Sequence, residues 1–371
     1  MKHLKRPEFL LLCLGITWAI VTCGQPLTDA QPGGGLSAML GGSLETIRIN
    51  RALAALLIFG GFAWHLLQQN SPVLPKPKMQ IALAALGGLL IFSALLSPYL
   101  SQSLDGTASW LVAFGAMLLA LGAVGRKEGP QIALGVFCAA GTVCALKGVM
   151  EYLERRDVEP TFRIFAGWSN PNAAAGLFLL IIPIALSLAW TREDWSKWLA
   201  SVSGGLLTCA LLLTQSKGGY LALGVGLAVF VLLTLLWKGS IKRSAPVAAS
   251  LLIGALLFAG LVYGPRSSSQ ASGPGLARLT SGGEVEQSAG FRTLLWKTTF
   301  QLAKERPQGW GTGAFRFVSG KPGLVTQTVT PHQNYLGLAA EGGVLSLLAF
   351  AACAFFWFIR VLPGAKALTE P

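Results

Sequence analysis

Apolar runs of about 20 residues, the length at which a helix spans the hydrocarbon core of a bilayer, recur along almost the whole chain. They lie near 8–24, 47–67, 79–97, 107–125, 130–150, 172–191, 196–214, 218–237, 245–263 and 335–358. Within a bilayer each run must satisfy its backbone N–H and C=O groups internally, which selects helix. Only 12% of the 371 residues are charged, about half the share of a soluble domain. The expected fold is an all-α polytopic integral membrane protein with about ten transmembrane helices. It forms a single integral domain over residues 1–371. One large outward loop, about 264–334, carries an amphipathic helix. The opening MKHLKRPEFLLLCLGITWAIVTC resembles a secretory signal, but it lacks a small-residue cleavage site and reads as a retained first helix.

In a soluble protein the net charge of +13 would suggest nucleic acid; here it follows the membrane. Lys2, Lys5 and Arg6, then Lys76 and Lys78, then Arg126 and Lys127 fall on alternate connectors. Arg192 and Lys197, then Lys238, Lys242 and Arg243, and finally Arg360 and Lys366 continue the series. The positive-inside rule makes that side cytoplasmic, with both termini on it. Nucleic acid is not an expected partner; membrane lipids are. The six cysteines fall in or beside apolar runs with no CxxC spacing, and read as small core residues.

Cations on the other side are the exceptions. Arg155, Arg156 and Arg163 lie on an outward connector, and Lys217 on the short outward turn TQSKGG. Long outward loops cross regardless of charge, but a turn of a few residues gains nothing from an outward lysine. These residues suit a phosphorylated or lipid-phosphate ligand. Within the late loop, 264–290 is Ser- and Gly-rich and reads as irregular. From Phe291, the residues Leu294, Leu295, Thr298 and Leu302 recur at helical spacing, with Arg292, Lys297 and Lys304 expected on the polar face. Pro307 and Gly309 stop that helix, and GWGTG forms a glycine turn. Asn170-Pro171-Asn172 opens the sixth span with helix-capping side chains. Lys147 and Glu151 are spaced for a structural i,i+4 ion pair near the outer end of the fifth.

Four pieces, in order over roughly residues 160–350, resemble the O-antigen ligase and polymerase family of bacterial envelope glycosyltransferases. RIFAGWSNPNAAAGL resembles the family's Arg-containing, Asn-Pro-Asn entrance to a helix. TQSKGGYLAL resembles its Ser-Arg-Gly turn, with Lys217 where Arg is usual. GFRTLLWKTTFQLAKERPQGWGTGAF resembles its Gly-Arg, Trp and Pro-x-Gly-x-Gly-x-Gly block. PHQNYLGLAAEGGVLS resembles the ligase pattern of His, a polar residue, nine residues and Gly-x-x-Gly; His332, Gln333 and Gly343 fit it, and Ser346 replaces the second Gly. The family usually has more than one span after its histidine, whereas about one follows here.

The resemblance implies a protein of the bacterial inner membrane that transfers a glycan from a polyprenyl diphosphate donor to a lipid or glycan acceptor. It implies that Arg292, then Lys217 and Arg163, stabilise charge on the departing diphosphate. His332 would accept the proton of the acceptor hydroxyl, and direct attack would invert the anomeric centre. Asn172, Gln333, Asn334 and Glu341 are the further candidate substrate contacts. No cofactor or metal is expected: His3, His65 and His332 are far apart in the chain, and no Asp-x-Asp motif occurs. The competing class is a transporter or flippase of an anionic or lipid-linked substrate, which predicts ionisable residues near the middle of several spans. A structural partner of other envelope enzymes would leave His332 and Arg292 replaceable.

Overall fold

The computed structural model describes residues 6–22, 44–68, 74–124, 129–159, 162–168, 170–236, 244–264, 282–321, 331 and 333–367. In chain order its helices are α1 (Pro7–Thr22), α2 (Leu44–Leu67), α3 (Pro77–Leu95), α4 (Leu100–Ala123), α5 (Gly129–Arg155), α6 (Pro171–Thr191) and α7 (Ser196–Leu213). Then follow α8 (Lys217–Leu236), α9 (Ala245–Tyr263), α10 (Gly282–Glu305), α11 (Phe315–Val318), α12 (Asn334–Glu341) and α13 (Val344–Ala367). Among the described residues seven helices, α2 to α7 and α9, are long and apolar enough to cross a membrane. Shorter apolar stretches, Pro7–Thr22, Lys217–Leu232 and Val344–Arg360, occupy the other three expected positions. The chain is thus a polytopic membrane protein whose described residues form helices and no strand.

Two compact units are present, each built from separate stretches of chain: residues 1–70 with 122–281, and residues 71–121 with 282–371. In the first unit α6 and α7 form the centre. Phe178, Ile181, Ile182 and Ala185 bury against Leu207, Ala210 and Leu211. Where α7 meets α9 the backbones come close: a Cβ on Gly254 would lie 2.9 Å from Gly205 O. Small residues admit this approach, and in lipid, where apolar surface alone gives no drive to associate, close packing holds helices together. Ser201 adds a bond across the same pair, its Oγ donating to Pro246 O at 2.8 Å. Leu221, Val225, Val229 and Leu232 of α8 remain exposed, an apolar stripe suited to lipid.

In the second unit α13 packs against α3, and α12 against α10. Trp110 meets Phe114 and Phe350 edge-on or tilted, near Leu86, Leu90 and Leu338. Three boundaries differ from the sequence reading. The expected last span 335–358 is broken at Gly342-Gly343 into α12 and α13. Gly343 takes φ +92°, and Val344 N–H leaves the helix ladder for Pro307 O at 2.9 Å. Helix α4 starts at Leu100, not near 107, because Ser103 and Thr107 find buried oxygen partners and so belong inside the unit. Helix α10 starts at Gly282, inside the stretch read as irregular.

Candidate functional site

At one end of the first unit the connector 162–168 folds onto the turn between α7 and α8. Ile164 N–H donates to Leu213 O at 3.3 Å, and Gln215 Nε2 donates to Phe162 O at 3.1 Å. Arg163 is fixed between two elements: Nε donates to Thr214 O at 2.8 Å and Nη2 to Asn172 Oδ1 at 3.0 Å. Its guanidinium therefore joins the first turn of α6 to the turn entering α8. Asn170 caps α6, its Oδ1 accepting from Ala173 N–H at 2.9 Å, and Pro171 follows where a missing N–H costs nothing. Ser216 caps α8, its Oγ accepting from Gly219 N–H at 3.2 Å, and exposed Lys217 is the first helical residue.

Helix N-termini already carry partial positive charge. Arg163 joins the start of α6, through Asn172, to the C-terminal carbonyl of α7 at Thr214, where a cation is favoured, and α8 begins three residues later with exposed Lys217. Backbone strain points to the same place. Ala166 at φ 52° and Gln215 at φ 49° are the non-glycine residues with positive φ among the described residues, and both lie in this cluster. Of the residues predicted from sequence, Arg163 and Asn172 are directly bonded, with Lys217 three residues beyond the carbonyl that Arg163 holds. Lys147 and Glu151 do not serve each other as the spacing suggested. Lys147 Nζ donates to Val21 O at 3.2 Å, and Glu151 Oε2 accepts from the N–H groups of Phe165 and Ala166, each at 2.9 Å. Sequence reading gave Glu151 no part here; Gly148-x-x-Glu151 on one helix face was the available signal.

In the second unit the expected glycine turn is a strap, threaded between α3 and α4 on one side and the α12–α13 break on the other. Gly309, Gly311 and Gly313 all take positive φ, at +93°, +99° and +81°. Trp310 N–H donates to Ala340 O at 2.9 Å and Gly311 N–H to Glu341 O at 2.8 Å. From α3, Ser93 Oγ donates to Glu341 O at 2.7 Å, and from the turn between α3 and α4, Ser97 Oγ donates to Trp310 O at 2.6 Å. A Cβ on Gly311 would lie 2.1 Å from Ser103 Oγ. Trp310 donates its Nε1–H to Leu302 O at 2.9 Å, with Lys321 Nζ 4.4 Å from its ring centre.

Glu341 closes this strap. Its Oε1 accepts from Phe315 N–H at 2.9 Å, and Gly313 N–H also donates to it. The stem is partly exposed but the carboxyl group is enclosed, and burial pushes its pKa up against the pull of the two N–H donors and of Arg316. Gln333 caps α12 by accepting from Leu336 N–H, and Asn334 opens that helix exposed. Arg292 is exposed on α10. It does not share a face with Lys297 and Lys304 as expected. It continues the buried stripe of Leu295, Thr299 and Leu302, with the two lysines about 120–140° around the helix. His332 lies outside the described residues, as do 265–281 and 322–330 of the late loop.

Over residues 202–351 the sequence matches the family model described as O-Antigen ligase. That stretch takes in the α7–α8 turn, α10, the glycine strap and α12; Arg163 and Asn172 precede it but are bonded into it through Thr214. No curated protein and no solved structure matched the chain.

Proposed function

We propose, from the match of residues 202–351 to the O-antigen ligase model, that the chain transfers a glycan from a polyprenyl diphosphate donor to a hydroxyl of a lipid or glycan acceptor. The reaction takes place at the outer face of the bacterial inner membrane, with both termini in the cytoplasm. The observation that carries the reading is the clamp of Arg163 between the start of α6 and the end of α7, with Lys217 three residues beyond at the start of α8. A diphosphate bound there meets the Arg163 guanidinium, already held at Asn172 and Thr214, with the N-terminus of α6 and exposed Lys217 of α8 within the same cluster.

In the transfer the acceptor oxygen bonds to the anomeric carbon as the bond from that carbon to the diphosphate oxygen breaks. The electron pair leaves with the polyprenyl diphosphate, and the acceptor proton passes to the His332 imidazole. Attack opposite the leaving group inverts the anomeric centre. Arg292 is assigned a further contact to the departing diphosphate, and Asn172, Gln333 and Asn334 are assigned contacts to the substrates. Asn172 also orients the Arg163 guanidinium.

Binding of the carbohydrate-free product, polyprenyl diphosphate, to the purified protein tests the clamp. Arg163→Ala should weaken it about ten- to a hundred-fold, the worth of a charge-assisted contact. Unchanged binding by Arg163→Ala and Lys217→Ala alike would remove the clamp from the donor site.

A further inference from the structure

Arg163 can serve a diphosphate only if its connector is held, and the connector has little to hold it by itself. It is short, it contains a non-glycine residue at φ 52°, and it lies between two helices of the first unit. The α7–α8 turn holds it on one side through Leu213 O, Thr214 O and Gln215, and α5 holds it on the other. Glu151 Oε2 receives the adjacent N–H groups of Phe165 and Ala166 at 2.9 Å each, two and three residues after Arg163. One turn back along the same helix, Gly148 lets the connector come down onto α5: a Cβ there would lie 2.6 Å from Ile164 Cδ1 and 3.0 Å from Ala166 Cβ. Ile164 and Ala166 are fully buried in that seat. The two N–H donors belong to a strained turn, so the carboxylate satisfies groups that no regular ladder reaches.

We propose that Glu151 is a positioning residue of the donor site: its carboxylate oxygen fixes the 162–168 connector, and thereby the bearing of Arg163 on the diphosphate. The proposal rests on the donor-clamp reading above. What matters on this account is an acceptor oxygen at the full reach of a glutamate side chain. Negative charge at that point is dispensable, and proton transfer has no part.

Three substitutions separate these roles. Glu151→Gln keeps an acceptor oxygen at the same reach without charge, and should leave the donor KM within about three-fold of wild type. Glu151→Asp keeps charge but withdraws the oxygen by one methylene, and should raise the donor KM about ten-fold with a smaller effect on kcat, as expected when bound-state positioning of a charged contact is lost. In an Arg163→Ala background, Glu151→Asp should then add nothing, because a residue that acts through Arg163 has nothing left to act on. Each variant is assayed for glycan transfer after eluting as a homogeneous detergent complex. Impairment by Glu151→Gln with tolerance of Glu151→Asp would overturn the proposal in favour of a charge role, and so would full additivity of Glu151→Asp with Arg163→Ala. If Arg163→Ala itself leaves the donor KM unchanged, the donor clamp fails, a result separate from either of these.

Discussion

Lys217 stands at the start of a helix, where an aspartate or serine would be favoured, and its charge is exposed. Its ammonium is a point charge lacking the two-pronged grip of a guanidinium on phosphate oxygens. Lys217→Arg should therefore be tolerated or modestly raise the apparent affinity for donor, whereas Lys217→Glu should weaken it; a donor titration of the transfer rate reads both. His332 and Arg292 should fail in different ways. His332→Ala should bind polyprenyl diphosphate normally and lose transfer by about 10²–10⁴-fold, the range for a general base. Arg292→Ala should lose both, because a cation facing the diphosphate contributes before and during bond breaking. Glu341 gives a pH signature. Its pKa in the folded protein lies above the ordinary 4.5, so its contribution is most favourable below that value and is lost as pH rises through the folded pKa. Glu341→Gln keeps an acceptor and cannot ionise. The Tm difference between wild type and Glu341→Gln should shift in favour of Gln as pH rises from 4 to 8, and a difference constant across that range would contradict the assignment.

The helices themselves were largely legible, because a run of apolar residues at membrane length leaves the backbone one solution. The Asn170-Pro171 start of α6 was legible too, since cap and N1 proline are local chemistry. Partnership at a distance was not. Nothing in GWGTG announces that Ser93, Ser97 and Ser103, more than two hundred residues earlier, receive it. Apolar length read straight through Gly342-Gly343, although the break there comes from a bond between Val344 and Pro307 that hydropathy cannot register. Arg292 was assigned to a polar face by residue type, while the face is set by which side of α10 buries. The strap yields an element-level prediction. Gly311→Ala meets both a positive φ and Ser103 Oγ, and should destabilise by about 1–3 kcal/mol. Gly88→Ala, in α3 with nothing within 4 Å of its added Cβ, should be neutral or slightly stabilising. Thermal unfolding in detergent compares them; equal Tm values would mean the strap is not held as described.

For the whole molecule, alternation of the spans predicts opposite sides for two exposed residues: Asp194 between α6 and α7, and Glu305 at the end of α10. In a variant without native cysteines, Glu305→Cys should react with a membrane-impermeant thiol reagent in intact spheroplasts and Asp194→Cys only after lysis; the reverse pattern would invert the topology. The central claim is catalysis of glycan transfer, as against movement of a lipid-linked substrate across the bilayer. It is tested most directly in proteoliposomes containing the purified chain, a polyprenyl diphosphate-linked glycan and a hydroxyl-bearing glycolipid acceptor. The account predicts glycosylated acceptor and free polyprenyl diphosphate in equal amounts, with the anomeric configuration inverted, and loss of both products in His332→Ala. Donor that changes leaflet while its glycan–diphosphate bond stays intact, at the same rate in wild type and His332→Ala, would contradict it.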